Sequence, residues 1–302
     1  KTLDASHIWT LERRVIVPSG VTLTIPAGTI IKATPGTGAN ATSLIIARGG
    51  TINAEGTADS PIIFTSTSDN ISIGQSFGSS LSEKVRGLWG GLLILGNAPC
   101  SFSGDVVEQQ IEGIPASETN GLYGGSDPAD NSGFLRYVSI RHGGAEIGEG
   151  NEINGLTLGG VGTGTTIENI EVVGNVDDGI EFFGGTVNAS GLLVWGQGDD
   201  GLDIDQAYAG TISNSMVILN EASDHALEID GPEGSAPGRF TLDGLTLIGT
   251  NDECAPTGVD GEIADYRKGA TGDNNNIYVM NFTAGKDIEL DKAADNATYM
   301  AG

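Results

Sequence analysis

The sequence predicts an all-β chain wound as a parallel β-helix, and three observations carry that prediction. First, an acidic segment recurs. Asp177-Asp178-Gly179-Ile180-Glu181-Phe182-Phe183 is followed by Asp199-Asp200-Gly201-Leu202-Asp203-Ile204-Asp205 and Asp224-His225-Ala226-Leu227-Glu228-Ile229-Asp230, at offsets of 22 and 25 residues. Self-similarity of this length marks a solenoid. Second, each copy alternates: Ile180 and Phe182, Leu202 and Ile204, Leu227 and Ile229 face one side, and Glu181, Asp203 and Glu228 the other, as strand geometry requires. Third, another strand recurs between the copies at Asn169-Ile170-Glu171-Val172, Gly191-Leu192-Leu193-Val194, Ser215-Met216-Val217-Ile218 and Gly244-Leu245-Thr246-Leu247, with offsets of 22, 24 and 29. Leucine-rich repeats share the period but need Leu at fixed places. Here Ile, Val, Phe and Met share the inward positions.

Taken in order, residues 1–14 read as a first cap, since a solenoid end otherwise exposes strand edges. Val15 to Lys32 is two or three short strands with Pro-Gly corners at Pro18-Ser19-Gly20 and Pro26-Ala27-Gly28. Leu44 to Thr57 continues the coil and Pro61-Ile62-Ile63-Phe64-Thr65 closes it. Residues 97–133 and 250–276 read as inserted loops, the first with Cys100 and two acidic clusters, the second with Cys254, Asp252, Glu253, Asp260, Glu262, Asp265 and Asp273. Long loops on a rigid scaffold often carry binding residues. The coil resumes at Ile277 to Phe282, and Asp287-Ile288-Glu289-Leu290-Asp291 repeats the acidic strand. The repeat makes 1–302 a single elongated domain, and the polar tail 292–302 suggests a native chain that continues.

Gly20 to Lys32, Gly50 to Ser66, Trp89 to Pro99, Leu135 to Ile140, Glu152 to Val161 and Gly184 to Asn188 together resemble exported bacterial surface proteins with a right-handed parallel β-helix, pectin-lyase-like in fold. The resemblance covers most of the chain. It implies a right-handed coil, export from a Gram-negative cell of the Bacteroidetes kind and a place on or beyond the cell surface. A signal peptide is then expected to be either removed before Lys1 or not included in the sequence. It implies no particular activity.

Composition narrows the partners. Lys and Arg total 14 against 40 Asp and Glu, a net charge of −26. Such a surface repels nucleic-acid phosphates and anionic headgroups and suits cations, a salty medium or plain solubility. No stretch reaches the ~18 apolar residues of a membrane span, so direct insertion is not expected. Cys100 and Cys254 do not form a CxxC pair. They make no zinc site by themselves, and a bridge between them requires the two loops to meet.

The repeats set up columns of acid. Coils stack about 4.8 Å apart, so Asp177, Asp199 and Asp224 form one column. Asp178, Asp200 and His225 form a second, Glu181, Asp203 and Glu228 a third, and Asp205 with Asp230 a fourth. Carboxylates so close must take up protons or bind cations. Hard oxygen donors at this spacing suit Ca²⁺. Asp177, Asp178, Glu181, Asp199, Asp200, Asp203, Asp205, Glu228 and Asp230 are therefore the candidate metal ligands, against the plainer reading of a solvated acidic face. The Gly-rich nonapeptide Ca²⁺ repeat is absent.

A sharper alternative rests on resemblance. Asn175-Val176-Asp177, Gly198-Asp199-Asp200 and Asp224-His225 are similar to the motifs of polygalacturonase-type hydrolases, which are also right-handed β-helices. That resemblance implies Asp200 as acid, Asp177 and Asp199 activating water, and His225 tuning the acid. The departures are Val176 in place of Thr, His225 without flanking Gly, and no well-placed Arg-x-Lys, since Arg267-Lys268 falls in the second loop. A Ca²⁺-dependent lyase needs a base beside the cation, and Arg136, Arg141, Arg239, Arg267 and Lys268 are the candidates in the later coils. Arg141-His142 ends a strand, where a His is usually a satisfied turn residue. Gly159 to Gly164 joins two strands instead of opening a helix, which weakens a nucleotide reading. Trp89, Trp195, Phe182 and Phe183 offer a sugar platform, with Trp195 and Phe183 at outward phases.

The favoured expectation is a non-catalytic exported protein for adhesion, matrix or filament assembly, or carbohydrate contact, stabilised by Ca²⁺. Its partners would be a surface polysaccharide, another cell-surface protein or a second copy stacked end to end. The alternative is a polysaccharide-cleaving hydrolase or lyase acting through Asp177, Asp199, Asp200 and His225.

Overall fold

A computed structural model describes residues 1–147, 152–250, 261–282 and 287–290. The chain is a right-handed parallel β-helix. A sheet of short strands runs Val15–Val17, Leu44–Ile46, Leu92–Leu95, Leu156–Gly159, Ile180–Phe183, Leu202–Asp205, His225–Asp230, Glu262–Arg267 and Ile288–Leu290, each parallel to the next. Its inward residues stack in register, Leu156 on Ile180 on Leu202 on Leu227, and Leu158 on Phe182 on Ile204 on Ile229. They meet one continuous apolar core filled from the opposite sheet by Ile140, Val172, Val194 and Val217. No helix among the described residues is long and apolar enough to cross a membrane.

That opposite sheet is made of longer strands, chiefly Gly133–Arg141, Thr166–Val173, Thr211–Ile218 and Phe240–Ile248. Each bends at one residue held at positive φ. Tyr137, Asn169, Asn214 and Gly244 take this place, and Gly191 holds it in the shorter coil. Asn and Gly tolerate left-handed backbone with little strain, so they mark the corner. This corner moves the expected alignment of the third copy by one residue. Asn214, not Ser215, lies level with Gly191 and Gly244. The sequence pattern aligned Ser215 with the two glycines because it is also small and precedes an apolar run.

Residues 1–14 are partly a rung. Ile8–Leu11 pairs with Ile30–Ala33, and Leu3, Trp9 and Leu11 pack on the core at that end. Residues 97–133 do leave the coil, but they form a cover and not a solvated loop. Phe102, Ile111, Ile114 and Tyr123 pack onto the outward face of the short-strand sheet, on Ile45, Leu93, Leu95 and Phe183. The second expected loop, 250–276, is corrected over its later part. Glu262–Arg267 and Gly272–Asn275 are regular rungs of the two sheets, while residues 251–260, with Cys254, lie outside the described residues. The acid-rich composition of 250–276 hid these strands, since Glu262, Asp265 and Asp273 lie within them. Sequence reading also passed over an excursion without strands at 67–91. It straps across the strand-ending turns of the long-strand sheet through Gly87 N–H to Gly143 O, 2.6 Å, and Leu88 N–H to His142 O, 3.0 Å.

Candidate metal centre

The outward column of the short-strand sheet changes character along the helix axis. In register it reads Ile45, Leu93, Thr157, Glu181, Asp203, Glu228, Asp265 and Glu289. The apolar start lies under the 97–133 cover. The acidic part begins beside that cover, whose Glu112 lines the same cleft, and Glu181 is only 5% exposed although it points out of the coil. The third expected column is thus real and longer than the repeat suggested.

The turn before each strand supplies the other columns. Asn154 Oδ1 accepts the Asp178 N–H at 3.2 Å, Asp178 Oδ1 accepts the Asp200 N–H at 3.0 Å, and Asp200 Oδ1 accepts the His225 N–H at 2.7 Å. This ladder explains the recurring Asp structurally: each one satisfies a buried backbone donor of the next coil. Only one oxygen of each is spent. The rest converge on a cleft of about 290 Å³ lined by Glu112, Glu152, Asp177, Asp178, Glu181, Asp199, Asp200, Asp203 and Glu228, nine carboxyl groups.

Within it, oxygens of Asp178, Glu181 and Asp203 lie within 4.8 Å of one another, as do those of Asp177, Asp178 and Asp199. Two unit charges 4.8 Å apart repel by about 3.5 kcal/mol at an effective dielectric of ~20. Burial, and then the Asp203 charge, push Asp178 and Glu181 well above the usual carboxylate range. Asp203 rises likewise through burial and then the Asp205 charge. Asp177 is pushed up to about 7 by burial and then Glu112, and Asp199 to about 6 by burial and then Asp200. Glu181 takes a hydrogen bond from Asn154, but Asp203 Oδ1 is buried with no partner. A buried polar atom without a partner costs on the order of 1–3 kcal/mol. Hard, convergent oxygens with one left orphaned fit Ca²⁺ or a similar divalent cation.

Asp205 and Asp230 lie outside this cleft. Asp230 is already neutralised by Arg267 at 2.8 Å and Lys268 at 2.6 Å. Asp205 spends Oδ1 on the Gln206 N–H at 2.7 Å and is pushed up to about 7 by burial. Glu112 and Glu152 were missed in the sequence. Glu112 is carried in by the cover, and neither belongs to the repeat.

The residues of the hydrolase alternative do assemble, since Asp177, Asp199 and Asp200 share the cleft and His225 sits 2.9 Å from Asp200. Their bonding differs from the expected roles. An acid must donate a proton, whereas Asp200 Oδ1 accepts from the His225 N–H and faces its Nδ1. Burial opposes the charge on that ring, but the hydrogen bond to Asp200 and the charges of Asp200, Asp224 and Asp265 outweigh it, raising His225 to about 9. The lyase bases fare no better. Arg136 pairs with Glu168 at 2.8 Å, Arg141 with Glu171 at 3.0 Å and Arg239 with Asp273 at 2.6 Å, all on the other sheet. Arg267 reaches the rim, where it bonds Glu228. His142 is the satisfied turn residue, buried, with Nδ1 donating to Val85 O at 2.7 Å and burial lowering its affinity for a proton.

The aromatic platform is also revised. Trp89 stacks on Phe64 inside the coil and Phe182 packs on Tyr208. Phe183 points outward as expected but lies under Tyr123, ring centroids 5.9 Å apart. Trp195 alone of the four stays exposed, at 40%.

A family model described as a pectate-lyase-like β-helix domain matches residues 1–301. The chain belongs to that family. No curated protein and no solved structure matches it. Membership in the pectate-lyase-like β-helix family agrees with the parallel sheets and leaves the choice between a binding and a cleaving role to the site. Cys100 is a free thiol, half-buried against the Phe183 carbonyl with its pKa pushed up to about 12 by desolvation, which suits packing and not nucleophilic chemistry.

Proposed function

We propose that this chain is a non-catalytic, exported β-helix that holds Ca²⁺ in its carboxylate cleft and uses the bound cation to contact acidic surface polysaccharide. The observation that carries this reading is Asp203 Oδ1, buried without a partner among carboxyl groups whose oxygens lie within 4.8 Å. Asp178, Glu181 and Asp203 would hold one cation, with Asp177 and Asp199 alongside. A cation with free coordination positions at the open mouth recruits carboxylate or hydroxyl oxygens of a uronate chain, which the bare cleft repels. Placement at the cell surface, in adhesion or matrix contact, follows the family resemblance. The test is calorimetric titration of EDTA-treated protein with Ca²⁺ and then with oligogalacturonate. Saturable Ca²⁺ binding lost in Asp203→Asn, and saccharide binding only in its presence, support the reading. An isotherm without heat at millimolar Ca²⁺ ends it.

One observation favours a second reading. Asp177 and Asp199, titrating near 7 and 6, share the cleft with Asp200, and carboxyls tuned toward neutrality suit acid–base work. Release of reducing ends or of unsaturated uronate from polygalacturonate, abolished in Asp199→Asn, would turn the assignment to a polysaccharide-cleaving enzyme.

A further inference from the structure

We propose that a second cleft, on the flank of the long-strand sheet, binds an uncharged oligosaccharide without a metal. This cleft of about 400 Å³ lies between the 67–91 strap and the outward face of the sheet. Its size falls in the ~300–1,000 Å³ range of small-molecule sites.

Two aromatic side chains border it and are left in solvent. Trp195 is 40% exposed and Phe77 is 76% exposed. Most large apolar side chains of this chain are inside, and nothing in the fold requires these two to share a cleft. They come from segments more than 100 residues apart in sequence. An exposed indole or phenyl face offers flat apolar area to the C–H face of a sugar ring, while the sugar hydroxyls remain free to hydrogen-bond.

The floor supplies the polar half. Arg141 donates Nε–H to Ser139 Oγ at 2.7 Å, one Nη1–H to Ser76 O at 2.9 Å and one Nη2–H to Glu171 Oε2 at 3.0 Å. A guanidinium has five N–H groups, so two remain for a ligand. Glu171 Oε2 also accepts from Ser139 Oγ, while Oε1 is left as an acceptor. The fork is therefore locked in place by the protein and still offers donors beside an acceptor. A vicinal diol, which donates through one hydroxyl and accepts through its neighbour, matches that pair. Arg141 and Glu171 offset each other, and Asp69 and Glu83 also line the cleft, so its formal charge is negative and it repels a uronate. Among the described residues, none of the acid clusters with converging oxygens lies in it. This separates its ligand from that of the carboxylate cleft on the other sheet.

The experiment uses tryptophan emission of the intact chain, in EDTA and again in Ca²⁺. The probes are hexaoses of β-1,4-glucose, α-1,4-glucose, β-1,4-mannose and β-1,4-xylose at millimolar concentration. Stacking on Trp195 should shift its emission to the blue with at least one probe, with the same affinity in EDTA and Ca²⁺. Trp195→Ala and Phe77→Ala should each weaken binding, measured by calorimetry, by at least about tenfold, equal to 1.4 kcal/mol. Glu171→Gln should weaken it without altering the fold, and Asp203→Asn should leave it unchanged. Both aromatics are exposed, so their loss does not threaten folding. No binding by any of the four probes overturns the proposal, as does an affinity unmoved by Trp195→Ala and Phe77→Ala. Binding that requires Ca²⁺ assigns the saccharide to the carboxylate cleft and overturns it equally.

Discussion

Replacing Asp203 by Asn should stabilise the protein without Ca²⁺ and leave it about level with wild type when Ca²⁺ is bound, because the variant gains less from the cation. In EDTA, Asp203 is a buried acid whose oxygens lie within 4.8 Å of those of Asp178 and Glu181, and each ionised contact repels by about 3.5 kcal/mol at a dielectric of ~20. Partial protonation relieves most of that, so a neutral isostere should recover about 1–2 kcal/mol. With unfolding entropy near 2.1 cal/mol/K per residue, a 302-residue chain turns this into a rise of about 2–3 °C in the midpoint. In Ca²⁺ at 100 times its Kd the wild type should gain about 2.7 kcal/mol, a rise of about 4 °C. If loss of one ligand weakens Kd tenfold, the same concentration gives the variant only about 1.4 kcal/mol, or about 2 °C. Scanning calorimetry of both proteins, in EDTA and in Ca²⁺, reads all four midpoints. A Ca²⁺-dependent rise equal in wild type and Asp203→Asn would refute the reasoning, as would a variant less stable than wild type in EDTA.

The cation-free protein should lose stability as pH rises from about 4 through 7. Asp177 and Asp199 have folded pKa values near 7 and 6, above the unfolded value near 3.9, so the folded state holds more protons across that window and deprotonation there favours unfolding. Urea titrations at several pH values should show this slope, and saturating Ca²⁺ should flatten it. His225→Phe should cost about 3 kcal/mol at neutral pH, since it leaves the buried Asp200 carboxylate without its cationic partner; a loss below about 1 kcal/mol in urea titration would count against that pair. Phe183→Ala should cost about 3 kcal/mol by opening a cavity under Tyr123, again read from urea midpoints. In a Cys254→Ser background, native Cys100 should resist iodoacetamide and react on unfolding, because its pKa is pushed up to about 12 by burial.

Much of this molecule was legible in the amino-acid order because a parallel coil repeats itself. The alternation at Ile180-Glu181-Phe182 states which residues face the core, and the offsets of 22 and 25 state which of them stack, so the column Glu181, Asp203, Glu228 could be read before any coordinates. The register confirms it residue for residue. The same logic slipped at Ser215, because the corner is set by a positive-φ residue, Asn214, and a one-residue shift leaves the apolar run looking unchanged.

What only the tertiary structure decided is which outward face stays wet. Residues 97–133 have no periodic signal, and nothing local says that Phe102 and Tyr123 lie on Phe183 while Glu112 joins the acids of later coils. That cover carries Glu112 into the acidic cleft, where Asp203 Oδ1 is buried without a partner. Likewise the strap at 67–91 brings Phe77 beside Trp195. Repeats declare their own register, since every coil meets its neighbour at a fixed spacing. The burial that shifts a pKa or shapes a cleft comes from segments distant in sequence, whose contacts are set by packing and leave no mark on the repeat.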